Sequence, residues 1–148
     1  MPAFQSSRTV AFAPDQMFDL VADVERYPEF LPLCEGLNIR RRSMLEDGRE
    51  VLLADMTVGY KAIRETFTSR VTLDRSKLRI DVEYVNGPFS HMENIWRFTA
   101  DGNKTIVDFS INYQFKSRML GLLMGGMFDQ AFRRFADAFE KRAAKTYR

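Results

Sequence analysis

Few side chains in this chain are suited to chemistry, and they are scattered. His91 is the single histidine and follows Ser90. A serine next to a histidine in sequence does not make a nucleophile–base pair, because such a pair is defined by geometry in space. A solvated turn histidine near Gly87-Pro88-Phe89 is the plainer reading. Cys34 is the single cysteine, so no intramolecular disulfide forms and structural zinc has no ligand set. No glycine-rich phosphate loop of the P-loop or dinucleotide-binding type is present. We therefore expect no catalytic residue, no metal and no catalytic cofactor: a binding protein rather than an enzyme.

Asp55, Glu65 and Asn94 are placed more suggestively. Each shares parity with apolar residues in a segment that alternates like a strand. A carboxylate or amide on a buried face needs a partner or water. Either these residues orient a polar head group inside an apolar pocket, or an edge, a bulge or a one-residue slip turns them outward.

The elements that must position them follow from periodicity. Phe4 to Phe12 suits a first strand. Pro14 and Asp15 then open a helix whose face carries Met17, Leu20, Val21 and Val24, and Tyr27-Pro28 ends it. Glu29 to Cys34 forms a short irregular turn. From Leu37 to Phe115 the pattern has period two. Val51, Leu53 and Asp55 form one set; Phe67, Val71 and Leu73 another; then Leu78, Ile80, Val82 and Tyr84. Met92, Asn94, Trp96 and Phe98 share a face, as do Val107, Phe109, Ile111, Tyr113 and Phe115. Turns fall at Glu46-Asp47-Gly48, Asp74-Arg75-Ser76, Asn86-Gly87-Pro88 and Asp101-Gly102-Asn103, which implies an antiparallel meander. The spacing of Phe128, Ala131, Phe135, Ala138, Phe139 and Arg142 predicts a closing helix, about 30 Å long from Gly126 to Lys145. Gly125-Gly126 marks either a kink or the helix start. The result is an α+β fold with one long helix on one face of a curved sheet.

The chain's 148 residues suit one domain, spanning 1–148. It holds 13 Phe and 8 Met, types that fill a plain core or a cavity for a flexible ligand equally well. A net charge of +2 does not point to DNA. Arg40-Arg41-Arg42 and Lys141, Arg142, Lys145 and Arg148 are basic clusters. If Ile39 points inward Arg41 shares its parity, so the triplet is not one flat patch. No segment near the start combines basic and apolar runs like a signal peptide. The apolar run Met119 to Phe128 is too short to span a membrane, which takes about 20 residues.

Asp23-Val24-Glu25-Arg26-Tyr27-Pro28-Glu29-Phe30-Leu31-Pro32-Leu33-Cys34 resembles the D-V-x-x-Y-P-x-F-L-P-x-C signature of the coenzyme Q-binding, START-like family. This family lies within the polyketide cyclase/dehydrase-like superfamily and includes bacterial ribosome-association toxins. Gly87-Pro88-Phe89 followed by Trp96-Arg97-Phe98 is similar to the family's G-P-F…W-x-F element. The closing Phe128…Phe132…Ala138-Phe139…Arg142-Ala143 resembles its last helix. Leu33 stands where many members carry tryptophan, which bears on the pocket mouth rather than the fold.

The resemblance implies a helix-grip fold with a hydrophobic tunnel, two short helices after the first strand, and ubiquinone as the bound ligand in support of cellular respiration. By motif, Tyr27, Pro28, Phe30, Leu31, Pro32, Phe89 and Trp96 become candidate pocket residues, although Pro28 and Pro32 serve equally as turn formers. Phe67, Met92 and Asn94 join them from the strand faces. Met119, Leu120, Leu122, Leu123, Met124, Met127 and Phe128 are candidates for a mobile mouth that meets a membrane, or else ordinary helix packing; Leu120, Leu123, Met124, Met127 and Phe128 among them are also candidate ligand contacts. Asp55, Glu65 and Asn94 are the candidate head-group contacts. The expectation is a bacterial cytoplasmic carrier working peripherally at the inner membrane; a processed mitochondrial protein would have the same sequence features. The alternatives are a ribosome-associated, toxin-like protein that blocks subunit joining and a small-molecule cyclase.

Overall fold

Consecutive strands separated by tight turns pair with their neighbours, and that rule builds most of this molecule. The computed structural model describes residues 3–60 and 62–147. The chain begins with β1 (Ala3–Val10), α1 (Pro14–Ala22) and a 3-10 helix (Val24–Glu29). Six strands follow: β2 (Cys34–Met44), β3 (Glu50–Tyr60), β4 (Ile63–Asp74), β5 (Arg79–Asn86), β6 (Phe89–Asp101) and β7 (Lys104–Phe115). Helix α2 (Arg118–Thr146) closes the chain. The sheet is antiparallel with strand order β1-β7-β6-β5-β4-β3-β2. This is the α+β, helix-grip arrangement expected from the sequence.

The strands β1 and β2 are successive in sequence yet form opposite edges of the sheet. The segment between them must therefore cross the concave face, and α1 packs against β5, β6, β7 and α2 on the way. Phe18 and Met17 are buried there. Thr105 of β7 ties down the entry to α1 by donating its hydroxyl to the Phe12 carbonyl at 2.6 Å.

Bulges bend the sheet, since an extra residue on one strand raises the local twist. The register shifts at Cys34/Gly36 and Ile39/Arg41 in β2, at Thr68/Ser69 against β5, and at Phe89/His91 in β6. The β2 shift also corrects the expected parity of Arg41. Ile39 pairs with Ala54 and Arg41 with Leu53, so Arg40 is the extra residue and Arg41 loses the facing of Ile39.

Several element boundaries differ from expectation. The first strand ends at Val10 rather than Phe12. The first α-helix stops at Ala22, and Tyr27-Pro28 lies inside the 3-10 helix instead of ending α1. A shorter hydrogen-bond reach lets that segment continue past a proline that has no N–H to give. The long helix is the largest difference. It is 29 residues long, about 43 Å at 1.5 Å per residue. It begins at Arg118, where Ser117 Oγ accepts from the Leu120 N–H at 2.9 Å. Gly125 and Gly126 sit inside it, neither starting nor ending it.

Candidate functional site

Alternation in β6 and β7 sends Met92, Asn94 and Trp96, with Phe109 and Ile111, into the space between sheet and α2. From β3, β4 and β5 come Ala54, Met56 and Val58; Phe67, Ser69 and Val71; and Ile80 and Val82. The 3-10 helix and the turn after it add Val24, Tyr27, Leu31, Pro32, Leu33 and Cys34, with Leu37 of β2 just beyond. The far wall is α2, through Phe128, Ala131, Phe132, Phe135 and Phe139. Together with Phe89 they enclose a cavity of about 110 Å³. An apolar cavity of about 150 Å³ is known to take up benzene. The space is of that order, so a ligand much larger than a single ring needs more room than this structure shows.

The aromatic wall is tightly ordered. Phe139 meets Tyr27, Phe30 and Trp96 edge-on, with ring centroids 5.4, 5.2 and 5.1 Å apart. Phe89 stacks on Phe115 at 5.0 Å and meets Phe67 edge-on at 5.5 Å. Gly87 makes this packing possible. Its φ is +147°, and a Cβ there would lie 2.6 Å from the Phe67 Cβ.

The polar groups of the lining are mostly committed. Tyr27 donates its hydroxyl to the Val21 carbonyl, and burial raises its pKa far above the ordinary tyrosine range. Burial pushes the Cys34 thiol up to about 11, and its Sγ faces the Gly36 carbonyl at 3.7 Å. Both groups are therefore neutral at pH 7. Asn94 Nδ2 donates to the Ser110 carbonyl at 2.8 Å. Leu33 takes a left-handed conformation, φ 68°, at the start of β2, and its carbonyl accepts from the Gly59 N–H at 3.0 Å.

Among the residues singled out from the sequence, Tyr27, Leu31, Pro32, Phe67, Phe89, Met92, Asn94, Trp96 and Phe128 line the cavity. Pro28 is exposed and Phe30 packs outside the lining, beneath the Arg142 guanidinium at 5.1 Å. Of the proposed mouth residues only Phe128 lines the cavity; Leu120, Leu123, Met124 and Met127 do not. Met124 is fully buried, Leu120 and Met127 are half-buried, and Leu123 faces solvent.

Asp55 points away from the cavity. Its neighbours Ala54 and Met56 occupy the inner face, while its carboxylate accepts from Arg40 Nε at 2.7 Å and from Thr68 Oγ1 at 2.5 Å. Glu65 keeps the parity of Phe67 but lies outside the lining. It is close enough to Tyr84 for its charge to add to burial in raising that phenol's pKa.

Sequence reading missed Ser69, although its parity with Phe67 and Val71 was available. It also missed the inner set Ala54, Met56 and Val58, and α2's Phe132, Phe135 and Phe139 as lining. His91 is exposed on β6. Among the described residues, no group of three or more His, Cys, Asp or Glu side chains is placed to hold a metal ion. No described helix is long and apolar enough to cross a membrane.

Residues 10–140 match the family model described as polyketide cyclase / dehydrase and lipid transport. The chain is 34% identical over 148 residues to the ribosome association toxin RatA of Vibrio cholerae serotype O1, covering 99% of each chain. It is 28% identical to the mitochondrial coenzyme Q-binding protein COQ10 homolog B of Xenopus laevis, over 97% of this chain and 59% of that one. The 18 kDa protein CC1736 of Caulobacter crescentus superposes with a TM-score of 0.81 at 33% identity, covering 99% of both chains. A START superfamily protein of Mycobacterium smegmatis shares the fold, with a TM-score of 0.80 at 19% identity over 97% of this chain and 98% of that one.

Proposed function

The chain belongs to the polyketide cyclase / dehydrase and lipid transport family, and from that premise we propose that it carries ubiquinone or a similar isoprenoid lipid in its internal cavity. The observation that carries this reading is the cavity itself, apolar, aromatic-walled and closed by a helix. Apolar burial supplies the affinity, at about 0.8 kcal/mol per methylene. A few polar groups supply the orientation, as is usual for such sites.

Release would follow from the N-terminal half of α2. Met119, Leu122 and Leu123 are exposed there beside Lys116 and Arg118, a pairing suited to an anionic bilayer surface. The carrier would then work at the inner membrane from the cytoplasmic side and support respiration. A cyclase reading has less support. Among the described lining residues there is no carboxylate, histidine or lysine, and the two titratable side chains, Tyr27 and Cys34, are held neutral. Acid–base catalysis needs a group with a pKa near the working pH.

A second reading, association with the ribosome, rests on the 34% identity to RatA. Binding to RNA rests on Lys and Arg that neutralise phosphates, and it weakens steeply with salt. Here Arg40, Arg42, Arg64, Arg70 and Arg79 are each paired with a nearby carboxylate. Organic extraction of the purified protein, followed by mass spectrometry, decides between the two. Stoichiometric ubiquinone supports the carrier. Extracts without quinone, from protein that co-sediments with ribosomal subunits at moderate salt, favour the second reading.

A further inference from the structure

The side chains of Thr68 and Ser69 are adjacent hydroxyls with opposite fates. Thr68 points to the outer face and donates to Asp55 at 2.5 Å. Ser69 points inward, lines the cavity and is 6% exposed. Its Oγ is buried and has no hydrogen-bond partner among the described residues. A buried hydroxyl in that state is costly and calls for an explanation.

The surroundings do not supply a partner. Across the sheet Ser69 faces Ala54 on β3, which has no polar side chain. On β5 it faces Tyr84, whose hydroxyl accepts from the Phe89 N–H at 3.0 Å. The Tyr27 hydroxyl and the Cys34 thiol, also in the lining, are directed at the Val21 and Gly36 carbonyls. Asn94, two strands away through the Val71, Val82 and Asn94 pairings, spends its Nδ2 on Ser110. Ser69 is thus an uncommitted hydroxyl in a ring-sized apolar space.

We propose that Ser69 is the specificity residue of this cavity, donating a hydrogen bond to an oxygen on a ring-sized ligand group such as a quinone or another cyclic ketone. This rests on the carrier reading and adds the discriminating contact to it. The ring is the part of such a ligand that matches this volume and carries an oxygen for Ser69 to meet. A hydrocarbon ring of the same size gains nothing from Ser69 and leaves its hydroxyl unpaired.

Trp96 is the single tryptophan and lines the cavity, so quenching of its fluorescence reports occupancy. The test titrates wild type, Ser69→Ala and Ser69→Thr with ubiquinone bearing one isoprene unit, and measures toluene by its displacement of that quinone. Ser69→Ala is expected to weaken the quinone about fivefold, the scale of one neutral hydrogen bond. Toluene affinity should hold or rise, Ser69→Thr should keep the quinone, and the ligand-free Ser69→Ala protein should melt no lower than wild type. Equal quinone affinity in wild type and Ser69→Ala overturns the role of Ser69 while leaving the carrier intact. So does a parallel loss of quinone and toluene, which would mark a packing role. Wild type that binds no quinone overturns the carrier reading, and this proposal with it.

Discussion

From Ala131 onward, α2 buries Phe132, Phe139 and Ala143 against the sheet and the 3-10 helix. Ion pairs hold this half from both sides: Arg142 donates to Glu29 at 2.6 Å, and Arg8 of β1 donates to Glu140 at 3.1 Å. The first half of the same helix buries Met124 and Phe128 but leaves Met119, Leu122 and Leu123 at 70, 81 and 58% exposure. Gly125 and Gly126 lie in this half with nothing near where a Cβ would be. One helix is therefore a firmly packed cavity wall at one end and a lightly packed, partly exposed segment at the other. Local opening is cheapest where few apolar contacts must break, so the N-terminal half is expected to open before the C-terminal half.

The largest test of that contrast is Phe139→Ala. It removes a ring in contact with Tyr27, Phe30 and Trp96, and a loss of about 3–5 kcal/mol is expected in denaturant unfolding. Leu122→Ser, by the same measurement, should stay within about 0.5 kcal/mol. Comparable losses at the two sites would break the comparison. So would native-state hydrogen exchange showing residues 120–127 as protected as residues 132–143.

Tyr27→Phe comes next, because it strips the hydroxyl from the Val21 carbonyl and leaves that acceptor buried. A loss of about 1–2 kcal/mol is expected. The same tyrosine sets an alkaline limit. Its pKa in the folded state is raised by burial, and an unfolded tyrosine titrates near 10. Its contribution is therefore fully present below about pH 10 and falls as the pH rises further. Thermal melts of wild type should decline above that pH more steeply than those of Tyr27→Phe.

The glycines sharpen the comparison from the loose side. Gly125→Ala and Gly126→Ala meet no atom within 4 Å, so each should stabilise by about 1 kcal/mol. Stopped-flow loading of a quinone should slow in the double variant if the N-terminal half must loosen for entry. An unchanged rate would put the entry elsewhere.

The smallest effect concerns the latch at the other end. The Arg142 hydrogen bond, and then that of Arg26, hold the Glu29 carboxyl below its ordinary pKa. That contribution is present above the unfolded value of about 4.3 and is lost as pH falls through the folded value. Glu29→Gln should lower melting slightly at pH 7, where the contribution is present, and the difference from wild type should vanish as the pH falls through the folded value, which flattens this part of the acid unfolding limb.

The meander, its turns and the inner faces of β6 and β7 were legible in the sequence. In those strands polar residues separate nearly every apolar one, so the alternation has a phase, as in Val107, Phe109 and Ile111 against Asp108 and Ser110. The aromatic motif around Tyr27 and Trp96 was legible as well. In β3 the run Val51-Leu52-Leu53-Ala54 is apolar at every position, so period two gives no phase. Asp55 was therefore a candidate for either face on that run, and it lies outward. What decided its facing was the pairing of Ala54 with Ile39 and Ser69, fixed by strands distant in sequence and by the bulge at Arg40. The glycine pair left a kink and a helix start equally open; the helix continues through it, and Met124 and Phe128 on either side are buried and hold that turn in place. Residue order alone set which segments become strands and helices, since that depends on local period and turn chemistry. Which polar group enters the cavity, Ser69 and not Asp55, was decided only by tertiary structure, because facing depends on the register with partner strands.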